Sequence, residues 1–105
     1  MEYLRRSLTL SLQAELEEKY RRYSKTLGKA LSTLKLKGSE RAAALKVRKV
    51  VHLAKCYHED AGHFHGKQML ITALVSLAYG EGLLDALKML DFVDFQWGER
   101  IGEEK

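Results

Sequence analysis

Proline is absent from the 105-residue sequence. No pyrrolidine ring therefore interrupts a helix, and a loop-rich all-β fold is disfavoured. Cysteine occurs once, at Cys56, which excludes an internal disulfide; with no secretory leader evident, this points to a reducing cytoplasm. Long apolar runs are also missing. The longest, Met69 to Ala78, is interrupted by Thr72 and Ser76 and covers about half of the roughly 20 residues that cross a bilayer, so no membrane span is expected. What is present, 46% hydrophobic and 30% charged residues, suffices to close a core without disorder or fibrous repeats. The length fits a single domain, residues 1–105, since domains commonly run to about 100–200 residues.

The net charge of +4 conceals an asymmetry. Residues 1–55 hold 14 Lys and Arg against 5 Glu, whereas residues 56–105 hold 4 against 9 Asp and Glu. A split of this kind marks either a nucleic-acid face or a basic helix packed beside an acidic one.

Three helices are expected, at about 10–36, 40–65 and 67–90. In the first, Leu16, Tyr20, Tyr23, Leu27, Ala30 and Leu34 recur with steps of four and three, the seam of an amphipathic helix. Glu15, Glu17 and Glu18 stand three or four residues from Lys and Arg and support it locally. Ser7 to Leu12 alternates polar and apolar residues, but with no second strand to pair it is read as a helical extension. Gly38 and Ser39 form a break suited to a left-handed cap and an N-cap. The second helix carries Ala43, Val47, Val50, Leu53, Ala54, Tyr57, Ala61 and Phe64 on one stripe and ends at Gly66. The third is apolar on almost every side, which predicts burial on more than one face, with Phe92, Val93, Phe95 and Trp97 or a second molecule supplying the extra cover. The tail from Gly98 is expected to fray. These elements define an all-α fold, a three-helix up-down-up antiparallel bundle with a short C-terminal tail packing back.

Residues 56–90 carry a recognisable pattern. Tyr57-His-Glu-Asp60-Ala61 and Phe64 are followed by Ala73, Ser76, Tyr79 and Gly82-Leu83-Leu84-Asp85-Ala86. This order resembles the archaeal domain-of-unknown-function 357 family, in which a Tyr-x-x-Asp-Ala motif precedes a Lys-Gly-Asp-Tyr-like turn and a Ser-Tyr-Ala-x-Gly-x-Leu-Asp-Ala motif follows. The chain departs from it with Gly66-Lys67-Gln68 at the turn and Tyr79-Gly80-Glu81-Gly82 before the Leu-Leu-Asp. The resemblance covers the last two helices, and the first agrees only in being amphipathic. It implies a small helical bundle and an archaeal source, and it supplies no activity and no cofactor.

Four groups with ligand chemistry, His52, Cys56, Glu59 and His63, fall within about 60° of one another on the side of the second helix opposite its apolar stripe. Adjacent pairs such as His52 with Cys56 have zinc-chelating spacing. His52 and His63 lie roughly 16 Å apart along the axis, so one ion cannot use all four. The plainer alternative is a solvated polar face, and no Cys-x-x-Cys or His-Glu-x-x-His motif is present. Glu81 falls on the most apolar line of the third helix, with Asp85 one turn on. These acids, with Asp60, form either a carboxylate pocket or, more simply, register-fixing bonds to tyrosines and bases across helix contacts.

Two functional readings follow. The over-apolar third helix favours a non-enzymatic protein–protein interaction or structural module, using helix 3 for a protein partner or for self-association. The alternative is an RNA- or DNA-binding accessory protein using Arg21, Arg22, Lys25, Lys29, Arg41, Lys46, Arg48 and Lys49. Against it, Tyr20 and Tyr23 are spent on the first seam, Glu15, Glu17 and Glu18 dilute the charge, and no nucleic-acid motif is present. Finally, Ala73, Ser76 and Gly80 stack on one side of the third helix, where such short side chains let a neighbouring backbone approach.

Overall fold

The four-and-three seam folds as one helix, α1, Glu2–Thr33. The structure is a computed structural model that describes residues 2–38 and 40–97, residues 2–7 through their backbone. Leu27 and Ala30 on the seam are fully buried, and Tyr20, Tyr23 and Leu34 pack against the core from its edge. The Ser7–Leu12 stretch is helical, so alternation without a partner strand yields to helix propagation.

Helix α1 stops at Thr33 rather than near 36. Lys35–Leu36 (β1) are instead extended and pair antiparallel with Val93–Asp94 (β2), in the register Lys35 to Asp94 and Leu36 to Val93. The backbone N–H of Lys37 donates to Phe92 O at 2.8 Å, and its ammonium lies 2.6 Å from Asp91 Oδ1. That hydrogen bond, and then the charge of Asp91, raises the Lys37 pKa above its ordinary 10.5. Gly38, with φ of 86°, turns the chain after this clasp rather than capping the helix. The expected N-cap, Ser39, and the tail from Gly98 lie outside the described residues.

Helix α2, Arg41–Gly66, runs antiparallel to α1, and α3, Leu70–Met89, returns alongside it. The third helix begins at Leu70 and not at 67 because Gln68 takes a left-handed conformation, φ of 61°. In that turn the N–H groups of Lys67, Gln68 and Met69 donate back to carbonyls of His63, Phe64 and His65.

The core is a ladder of small and medium side chains. Val47, Ala54 and Ala61 on α2 face Ala73, Ser76, Leu77, Gly80, Leu84 and Leu87 on α3, with Leu27 and Ala30 of α1 closing the third side. Val93 and Phe95 from the C-terminal segment seal one end, while Phe92 stays at the surface. Lys88 donates to Phe95 O at 3.0 Å with its ammonium 4.5 Å from the centre of the Phe95 ring. The N–H of Gln96 donates to Thr33 Oγ1 at 2.9 Å. The bundle is therefore all-α with the tail packed back. By length and composition α3 is also sufficient to cross a bilayer, contrary to what the interrupted run Met69–Ala78 suggested, because Leu83, Leu84, Ala86 and Leu87 extend its apolar character to 20 residues. Six of those positions are the centre of the bundle.

Candidate interaction surface

Helix α3 has two sides of different construction. On the inner side Ala73, Ser76 and Gly80 are buried, as their spacing predicts. A Cβ at Gly80 would lie 2.9 Å from Leu27 Cδ2, 3.3 Å from the Ala54 carbonyl oxygen and 3.5 Å from Tyr57 Cβ. The missing methyl is what lets three helices meet at that level. On the outer side Ile71 is 67% exposed, Val75 49%, Tyr79 61% and Met89 85%. Gly82 lies among them with nothing within 4 Å of its notional Cβ. Among the described C-terminal aromatics, Phe95 lies in the core and Trp97 packs against it, and the outer residues of α3 stay exposed. The expected extra cover therefore seals only the end of the bundle.

Beside the outer side runs a groove of about 530 Å³ between α1 and α3, floored by Leu16, Tyr23, Leu74 and Ala78 and edged by Lys19 and Glu81. Glu81 is half-buried, and the hydroxyl of the buried Thr26 reaches its Oε2 at 3.5 Å. Asp60 and Asp85 are exposed and make no hydrogen bond or ion pair with a described residue, so they do not fix register as expected. Register comes from elsewhere: the Nε2–H of His58 donates to the Ser24 carbonyl at 2.9 Å. That proton assignment follows because a carbonyl only accepts. The ring occupies the space beside Gly28, whose notional Cβ would be 3.3 Å from Nε2. One turn pair on, the Nε2–H of His65 donates to Glu17 Oε2 at 2.6 Å, and Tyr20 stacks on the His65 ring at 4.1 Å. Sequence reasoning passed over both histidines. Their signal was the run Ala54, His58, Ala61, His65, whose steps of four, three and four continue the buried line of α2.

The four ligand-bearing residues behave differently. His52, Glu59 and His63 are exposed and Cys56 is half-buried. Cys56 Sγ and His52 Nε2 approach to 3.6 Å. Among the described residues, no group of three His, Cys, Asp or Glu side chains gathers closely enough to hold a metal ion. A thiol and an imidazole alone are two ligands of the four a structural zinc uses.

The motif residues divide between core and surface. Ala61 and Leu84 are fully buried and Phe64 packs at the core edge, whereas Asp60, Tyr79, Gly82, Asp85 and Ala86 face outward. Tyr57 and Tyr79 join the two helices by ring stacking, with centroids 5.5 Å apart. Of the basic residues, Arg21 is tied to Glu18 at 3.1 Å and Glu17 at 3.7 Å. Lys25, Lys29, Arg41, Lys46, Arg48 and Lys49 are exposed and make no ion pair with a described residue.

The fold and this surface define a class, a small three-helix bundle in which, among the described residues, one side of the central helix is apolar and exposed. A family model described as "Protein of unknown function (DUF357)" matches residues 22–93, and the chain belongs to that family. The match begins within α1 and ends in β2, so it takes in the clasp as well as α2 and α3. No curated protein and no solved structure matches the chain.

Proposed function

We propose that the protein is a non-enzymatic helical interaction module whose binding surface is the outer side of α3. The observation that supports this reading is the pairing, on one helix, of a core-forming side with a side bearing Ile71, Val75, Tyr79 and Met89 in solvent. A solvated face of a bundle helix is ordinarily polar, and contiguous exposed apolar surface marks a contact. The unpaired thiol of Cys56 fits a cytoplasmic setting. The test compares wild type with Val75→Glu by sedimentation and by affinity capture from native extract. Association with itself or with a protein, lost in Val75→Glu, is expected. A monomer that captures nothing, or that floats instead with vesicles of neutral lipid, contradicts the reading.

A second reading, nucleic-acid binding, draws on the six exposed basic residues Lys25, Lys29, Arg41, Lys46, Arg48 and Lys49. It has fewer aromatics to offer, because Tyr20 is stacked on His65 and Tyr23 packs at the core edge. A salt series with mixed-sequence RNA decides it. Each phosphate contact steepens the log-affinity slope by about 0.7 to 0.9, and no binding at low salt removes the reading.

A further inference from the structure

The N-terminal part of α1 is the second surface left without cover. Glu17 stands opposite His65 at the end of α2, so residues 2–12 project beyond the α2–α3 turn as a helical arm. Leu8 is 71% exposed and Leu12 57%. From Ser7 to Ala14 the sequence carries no charge, in a chain that is 30% charged. A helical overhang of this length is marginal in water without packing, and a solvated one would normally carry charges. The stripe Leu8, Leu12, Leu16 continues in steps of four into the groove between α1 and α3, where Leu16 forms part of the floor.

Resting on the reading of α3 as an interaction surface, we propose that its occupant is the N-terminal arm of a second copy of this chain, exchanged reciprocally in a two-fold dimer. With Leu16 near the axis, the partner's arm runs antiparallel to α3. Position 5 lies 11 residues from position 16, about 16 Å along a helix, and position 81 lies 10 residues from position 71, about 15 Å. Positions 5 and 6 of one copy, both arginine, then fall at the level of Glu81 of the other, one turn short of Asp85, basic against acidic. The uncharged stretch 7–14 lies between, over Ile71, Val75 and Ala78. The contact is isologous, so both uncovered surfaces close with no surface left to propagate a chain.

Full-length chain is measured by sedimentation equilibrium beside two variants, Leu8→Glu/Leu12→Glu and Val75→Glu. Separately, in a Cys56→Ser background, chains bearing Leu12→Cys are mixed with chains bearing Val75→Cys under mild oxidation. The expected results are a wild type of twice 12.0 kDa, loss of the dimer in both charge variants with thermal melts still cooperative, and a disulfide-linked pair formed only on mixing. A wild type that stays monomeric at millimolar concentration overturns the exchange. A dimer that survives the arm substitutions, forms no mixed disulfide and is lost in Val75→Glu also overturns it, while leaving α3 as the association surface. A dimer that survives all substitutions overturns both.

Discussion

The two sides of α3 share one backbone and nearly the same hydrophobicity, yet one sets small residues between buried leucines where the helices cross and the other holds large side chains mostly in solvent. Inside, Ala73, Ser76 and Gly80 bring α1 and α2 close enough for Leu27 to contact the α3 backbone level at Gly80. Outside, Ile71, Val75 and Met89 stay exposed, and Tyr79 touches the bundle only through its ring stacked on Tyr57. Apolar content alone therefore says little about burial in a short bundle. Small residues at the level where helices cross say more, because a close approach needs their missing volume before it adds contacts.

The widest separation between the sides is expected from truncation. Leu77 is 1% exposed and lies at the centre of the core, so Leu77→Ala is expected to cost about 2 to 5 kcal/mol. Val75→Ala, two residues away on the outer side, is expected to change stability by no more than about 0.5 kcal/mol. Urea denaturation of the two variants at concentrations that keep the chain monomeric measures the gap, and equal losses would erase the distinction.

A smaller effect sharpens the description of how α3 is launched. Gln68 holds a left-handed conformation that costs a residue with a Cβ but not glycine. Gln68→Gly should therefore raise the melting midpoint, by the equivalent of about 0.5 to 1 kcal/mol less what the freer unfolded chain takes back. A lowered midpoint would mean that the Gln68 side chain supports the turn.

The smallest effect belongs to the clasp that holds the end of α3 against β1. The Lys37 pKa is raised in the folded state, so its contribution is present in full below the ordinary 10.5 and is lost as pH rises through the higher folded value. Asp91→Asn is expected to lower the stability–pH curve slightly near neutrality and to flatten its alkaline limb above about pH 10, so that the two curves converge at high pH, with a small amplitude throughout, as suits an exposed pair. An unchanged alkaline limb would show that the pair contributes nothing.

How much of this was legible depended on whether the information was periodic. The seam of α1 and the buried Val47, Ala54 and Ala61 follow a 3.6-residue repeat and were readable. So was the inward line of α3, although only through Gly80 and its small neighbours, since a helix apolar all round has no polar side to orient it. Leu53 fits the apolar stripe of α2 yet is 46% exposed, because α1 and α3 cover a band narrower than that stripe. The β1–β2 clasp was invisible: two residues per strand carry no period, and their partners lie 59 and 57 positions away. The contacts of His58 with Ser24 and of His65 with Glu17 were hidden for the same reason, being set by helix packing rather than by neighbours in the chain. On the surface, the sequence showed an excess of apolar residues on α3 but not which of them the tail would leave bare.

The most direct test of the two-sided helix is to place the same side chain at two glycines a half-turn apart. Gly80→Leu and Gly82→Leu gain helix propensity alike, about 1 kcal/mol each. At Gly80 the added atoms meet Leu27 Cδ2 at 2.9 Å and the Ala54 carbonyl at 3.3 Å, whereas at Gly82 they meet nothing within 4 Å. Thermal melts at micromolar concentration should show Gly80→Leu destabilised by roughly 1 to 3 kcal/mol and Gly82→Leu with a raised midpoint. A raised midpoint for Gly80→Leu, or equal shifts for the two, would contradict the account of α3 as the helix at the centre of the bundle with one side open to solvent.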